Sequence, residues 1–111
     1  MKNILSMVRG DTQALELEIT DDNTPTTVDS IYFTVKNDAY TDEVVFQKKL
    51  NDGITLTNDV YNITIDPSDT DELDYGRYAY DIEIIKNSVK KTILVGILDI
   101  GEEITYTSNE D

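Results

Sequence analysis

The sequence contains no cysteine, histidine or tryptophan, and only two prolines in 111 residues. Without cysteine no disulfide can brace the fold, and without cysteine or histidine no zinc-type centre can be built. The same absences remove the thiol nucleophile and the commonest general base, so an enzyme here would have to work with carboxylates. Basic residues are also scarce, 9 against 23 acidic ones, giving a formal net charge of −14. A surface of that sign repels phosphate backbones and anionic lipid, which argues against nucleic acid and membranes as partners. No apolar run reaches the roughly 18 residues of a membrane helix. Met1 to Arg9 also lacks the apolar stretch of a secretion signal. The chain is therefore expected to be made in a cytoplasm and kept or assembled there.

What is present is alternation with period two. Between Gln13 and Thr20, Leu15, Leu17 and Ile19 point one way and Glu16, Glu18 and Thr20 the other. Ile31, Phe33 and Val35 alternate with Tyr32, Thr34 and Lys36, and Tyr78, Tyr80, Ile82 and Ile84 with Ala79, Asp81 and Glu83. Further strands are expected near Ile4 to Arg9 and near Glu43 to Lys49, the latter with no clear inward face. Asn51-Asp52-Gly53 is a turn signal, Asn58-Asp59 joins two strands in a tight hairpin, and Asn87-Ser88 turns the chain into Val89 to Ile100. That last run is almost continuously apolar after Lys91, which predicts a strand covered on both faces for part of its length. Helical signals are confined to a short turn near residues 67–73, with Asp66 as cap and Pro67 at the first position. The profile is that of an all-β, antiparallel sandwich of seven to eight strands. One domain spans residues 1–100, and residues 101–111 form an acidic tail or arm.

The segment Asp74-Tyr75-Gly76-Arg77-Tyr78-Ala79-Tyr80 resembles the Asp-x-Gly-x-Tyr-x-Cys signature that enters strand F of immunoglobulin domains, with Tyr80 at the cysteine position. The resemblance assigns Tyr78 to the tyrosine corner, where its hydroxyl would bond upstream backbone between strands E and F. Asp74, Gly76, Tyr78 and Tyr80 are thus expected to be structural.

Four more segments follow in order. They are Arg9-Gly10-Asp11-Thr12 before a strand ending Ile19-Thr20-Asp21, then Ile31 to Lys36, then Gly53-Ile54-Thr55-Leu56, and last Thr92-Ile93-Leu94-Val95-Gly96. With the Gly76 to Ile82 segment, this ordered set resembles small immunoglobulin-like virion proteins of tailed phages, similar to the N-terminal domain of phage upper baseplate proteins. The resemblance covers residues 8–100. It implies a non-enzymatic structural protein of the particle, a docking module of the tail, baseplate or head. Its partners would be other virion proteins, in a symmetric homo-oligomer or on a symmetric component. A capsid decoration or head-fibre role is the nearest alternative.

Other chemistry finds weaker support in the residues. Asp66, Asp69, Asp71, Glu72 and Asp74 crowd one loop and could in principle offer oxygens to Ca²⁺, but their spacing lacks the glycine and the distal glutamate of an EF-hand loop. Helix capping and solubility account for them, and no metal or cofactor is expected. Arg9-Gly10-Asp11 reads as a turn, and Asn62-Ile63-Thr64 as a glycosylation sequon in form only. Tyr32 and Tyr40 are expected outside the core, as contacts for a protein or for a host-surface carbohydrate. Ile104 and Tyr106 lie among acids in the tail and are candidates for an arm that adds to another subunit. In immunoglobulin strand order the acidic loop would gather with Asp11, Asp38, Asp42 and Glu43 at one end, leaving Lys48, Lys49, Lys90 and Lys91 toward the other.

Overall fold

Strands form where the alternation is, and the computed structural model describes residues 3–21, 24–38 and 43–101. In chain order these form β1 (Asn3–Val8), β2 (Gln13–Leu17), β3 (Thr20–Asp21), β4 (Thr24–Pro25), β5 (Ser30–Lys36), β6 (Val44–Leu50), β7 (Gly53–Thr57) and β8 (Val60–Ile65). A single helical turn, α1 (Pro67–Thr70), then leads to the two longest strands, β9 (Gly76–Lys86) and β10 (Val89–Gly101).

Two of the turns follow directly from local chemistry. Asn58 and Asp59 adopt φ of 51° and 66°, and Asn87 and Ser88 adopt 53° and 67°. Two successive left-handed residues make the turn whose twist matches that of the flanking strands, and Asn and Asp tolerate this conformation best among non-glycine residues. Thr57 accordingly pairs with Val60, and Lys86 with Val89.

The main ladder runs β1-β10-β9-β5-β6-β7-β8-β2, with β3 and β4 in a separate two-stranded ribbon. All pairings are antiparallel except β1 with β10 and β6 with β7. The β6–β7 link consists of only two residue pairs, Lys49 with Gly53 and Leu50 with Ile54. Asn51, at φ 70°, and Gly53, at φ 95°, fold the chain over at this point. The ladder thus divides into a five-stranded leaf, β1-β10-β9-β5-β6, and a three-stranded leaf, β7-β8-β2, packed face to face.

The core lies between the leaves. Ile31, Phe33 and Val35 of β5, Tyr78, Tyr80, Ile82 and Ile84 of β9, and Leu98 and Ile100 of β10 meet Ile54, Tyr61, Ile63 and Ile65 of the other leaf. Phe33 sits at the centre of an aromatic group, with ring centroids 5.4 Å from Tyr80 and 6.2 Å from Phe46. Tilted pairs at this separation add attraction beyond the area they bury. With neither disulfide nor tryptophan available, this group fills the middle of the sandwich. Tyr61 is fully buried and its hydroxyl accepts the Val28 N–H at 3.0 Å, closing a donor that would otherwise be stranded.

Two expectations change here, and one open point is resolved. The Gln13 to Thr20 strand ends its pairing with β8 at Leu17, and the chain then turns into the β3–β4 ribbon. The Val89 to Ile100 run is not covered on both faces: Gly96, Leu98 and Ile100 point inward, while Val95 is 51% exposed. A continuous apolar run cannot by itself distinguish a doubly covered strand from one with an apolar outer face. The inward face of β6, left open by the sequence, carries Phe46, Lys48 and Leu50, so a lysine takes a core-facing position.

Candidate docking surface

The chain enters β9 through the loop after α1. The Tyr78 hydroxyl donates to the Asp74 carbonyl at 2.8 Å while its ring is buried, the geometry of a corner tyrosine. Tyr80 is buried two residues on, in contact with Phe33, and Gly76 opens the strand at φ 136°. Burial, reinforced by the nearby Asp74 charge, pushes the Tyr78 hydroxyl above its ordinary pKa of 10.0, and burial alone does the same for Tyr80.

The acidic loop is organised around Lys48 and the first turn. The Lys48 ammonium lies 2.7 Å from an Asp69 carboxylate oxygen and 3.4 Å from one of Asp66, with its side chain only 11% exposed. The same Asp69 oxygen accepts the Asp66 N–H at 2.7 Å, which fastens the first turn of α1. Burial would lower the Lys48 pKa, but the Asp69 hydrogen bond and the charges of Asp69 and Asp66 outweigh it and hold the ammonium above its ordinary 10.5. The expected segregation of acids from Lys48 therefore fails: β6 brings this lysine across to the acidic loop. Asp71, Glu72 and Asp74 are exposed. Among the described residues no group of three or more acids converges as a metal site requires.

The Arg9-Gly10-Asp11 tripeptide is taken up by the fold. The Arg9 guanidinium sits 4.3 Å above the Tyr75 ring and donates to the Leu73 carbonyl at 3.3 Å, while its backbone N–H donates to Gly101. The Gly10 N–H donates to the buried Thr70 hydroxyl at 2.9 Å. The turn from β1 to β2 is thereby clasped to the loop that precedes β9.

The feature left over by these structural duties is the outward face of the five-stranded leaf. Strand register aligns its residues in rows. One row crosses all five strands as Ile4, Ile97, Ala79, Lys36 and Val44. The next runs Val95, Asp81, Thr34 and Gln47, and beside it lie Thr92, Glu83, Tyr32 and Lys49. Ile4, Val95 and Val44 are 58%, 51% and 46% exposed, three of the six large apolar side chains most open to water among the described residues. A shallow depression of about 230 Å³, lined by Thr34, Lys36, Ala79, Tyr80, Asp81 and Val95, lies where β5, β9 and β10 run side by side. Ile4, Ile97 and Val95 form an apolar cluster at the β1–β10 side, while Val44 stands at the opposite edge beyond Lys36; an exposed apolar cluster rimmed by polar groups is a mark of interaction surfaces.

Of the residues expected at an interface, Tyr32 lies on this face, half-buried between Glu83 and Lys49. Tyr40, Ile104 and Tyr106 fall outside the described residues. Val95, Ile97 and Ile4 were not foreseen as surface contacts. The available signal was Val95 and Ile97 alternating with Gly96 and Leu98, hidden inside a run that reads as core.

Strands β5, β9 and β10 stand where strands C, F and G stand in an immunoglobulin sheet, β6 continues it, and β2, β8 and β7 take the places of B, E and D. The chain is thus an immunoglobulin-like β-sandwich with its first strand added beside G. No family model matches the sequence, and no curated protein matches it. Among solved structures, a chain of the swine CD8aa homodimer is similar, with a TM-score of 0.56 and 16% identity over 91% of this chain and 95% of that chain. At that identity the likeness shows the fold alone.

Proposed function

We propose that this chain is a non-enzymatic docking module of a phage particle, attached to other virion proteins through the outward face of its five-stranded leaf. The observation that carries the docking reading is the apolar cluster of Ile4 and Val95 with half-buried Ile97 between them, and Val44 at the far edge of the same face: side chains that lie outside the core. Catalysis has little to work with. The sequence offers no histidine or cysteine, Asp66 and Asp69 are turned to Lys48, and Asp71, Glu72 and Asp74 stand in solvent. The virion setting rests on the ordered segments that resemble phage immunoglobulin-like proteins, and the CD8aa likeness adds that a sandwich of this shape occurs in a homodimer.

The test is sedimentation of purified particles followed by mass spectrometry. The reading expects the chain to travel with the particles at a fixed, symmetry-related copy number. A chain found only in the unassembled fraction would refute it.

A further inference from the structure

We infer that the free edge of β1 receives an extended segment of a partner protein, in which a basic residue is flanked, two positions to either side, by apolar ones. This rests on the reading of the chain as a docking module and names the chemistry of what it docks.

Backbone direction comes first. β1 pairs in parallel with β10 from Asn3 to Val8 without a register shift, and the Arg9 N–H extends the ladder by donating to the Gly101 carbonyl. Bonding along a strand alternates from residue to residue, and the N–H and C=O of one residue point the same way. Leu5 and Met7 therefore face β10, whereas Ile4, Ser6 and Val8 turn their polar groups to the free edge. The Val8 carbonyl accepts the Asp11 N–H. Among the described residues nothing bonds the amides of Ile4, Ser6 and Val8 or the carbonyls of Ile4 and Ser6. Edges of this kind are ordinarily blunted by charge, proline or a bulge. The edge strand of the other leaf, β2, carries Glu16, but β1 reads Asn-Ile-Leu-Ser-Met-Val and has none of these devices. An added strand would complete three donors and two acceptors, the main-chain part of strand addition.

Side chains set what that strand must carry. Ile4, Ser6 and Val8 share the outward face, with Ile4 beside Ile97, so residues paired with Ile4 and Val8 gain by being apolar. Ser6 is small, and beyond it in register stands Asp99 of β10. The Asp99 side chain is half-buried and makes no hydrogen bond or ion pair with any described residue, its neighbour Arg77 included. Ser6, Met7, Val8, Asp99 and Gly101 line a shallow depression of about 280 Å³. A residue paired with Ser6 stands two strand spacings from Asp99, about 10 Å. An arginine or lysine there lays its aliphatic stem over Ser6, along the depression, and brings its charge to the carboxylate. The net charge of −14 draws a cationic segment in, and it disfavours a second copy or the acidic residues 102–111 as occupants.

The probe is the capped heptapeptide Thr-Val-Thr-Arg-Thr-Val-Thr, titrated into the isotope-labelled whole chain to about 5 mM. The amide signals of Ile4, Ser6 and Val8 should shift together and their hydrogen exchange should slow, with half-saturation on the order of 1 mM. Replacing the arginine by citrulline, its neutral isostere, should weaken binding about three- to fivefold. In Asp99→Asn the two peptides should bind within about twofold of each other. Ser6→Pro removes an edge N–H without touching the β10 ladder and should abolish binding. Should that variant fail to fold, Ser6→Lys, which lays its own cation on Asp99 from an exposed position, should erase the arginine preference. Three results overturn the inference: no peptide-dependent change at these amides, an arginine preference that survives Asp99→Asn, or Ile4 and Ser6 amides already protected in the free chain. Such protection would show the chain's own residues on the edge if independent of concentration, and a second copy if it grows with concentration. Particle co-sedimentation tests docking itself and does not depend on these outcomes.

Discussion

Two buried tyrosines use the same hydroxyl in opposite senses, and the difference has a measurable consequence. Tyr61 accepts from the Val28 N–H, whereas Tyr78 donates to the Asp74 carbonyl. Removing the Tyr61 hydroxyl strands a buried N–H, which costs about 1–3 kcal/mol, whereas a carbonyl beside an exposed loop can turn to water. Tyr78→Phe should therefore lower stability by about 0.5–1.5 kcal/mol and Tyr61→Phe by more, read from urea midpoints at constant slope. Equal losses would mean that the Val28 N–H finds another acceptor. The Tyr78 corner could be anticipated because its signature is local, spanning Asp74 to Tyr80. The Tyr61 bond could not, because its partner is 33 residues away.

At the scale of elements, the fold turns on the crossing from β6 to β7. A Cβ on Gly53 would meet Lys48 Cδ at 2.5 Å, at a backbone φ of 95°. Gly53→Ala should thus act twice, through backbone strain of about 1–2 kcal/mol and through displacement of Lys48 from Asp69 and Asp66. In a Lys48→Ala background the Cδ contact and the ion pair are gone, leaving the strain and a 3.2 Å approach to the Cβ of residue 48, so the double-mutant cycle should show a coupling of about 1 kcal/mol or more. Additive losses would separate the turn from the ion pair.

These elements also show what sequence can and cannot convey. Asn58-Asp59 and Asn87-Ser88 were readable as hairpins because the turn conformation is a property of the residues themselves. The period-two runs at Ile31 to Lys36 and Tyr78 to Ile84 revealed the faces of β5 and β9 in the same way. The parallel pairings of β1 with β10 and of β6 with β7 join segments whose partners no local signal names. Immunoglobulin strand order sets Lys48 toward the end opposite the acidic loop, and the Glu43 to Lys49 stretch shows no clear inward face of its own. Only the two aspartates brought close by α1 make its inward position tolerable.

At the scale of the molecule, ionisation governs how stability depends on pH. Lys48, Tyr78 and Tyr80 all hold their protons more tightly in the folded chain than their ordinary values of 10.5 and 10.0. The folded state therefore binds more protons than the unfolded one above about pH 10, and stability must fall as pH rises through that range. Their stabilising contribution is fully present below those ordinary values. Urea midpoints should be unaffected by these three groups at about pH 8 and should drop as the pH rises past their ordinary values of 10.0 and 10.5. Tyr78→Phe should make the drop shallower.

The central claim is that a sandwich with a sealed core presents the outer face of its five-stranded leaf to other proteins. It is tested most directly by comparing incorporation of wild-type, Val95→Asp and Thr55→Asp chains into the phage particles to which the proposed function assigns the chain. The account predicts that Val95→Asp folds with an unchanged urea midpoint but is lost from sedimented particles, while Thr55→Asp is retained at the wild-type copy number. Retention of folded Val95→Asp at full occupancy would contradict it.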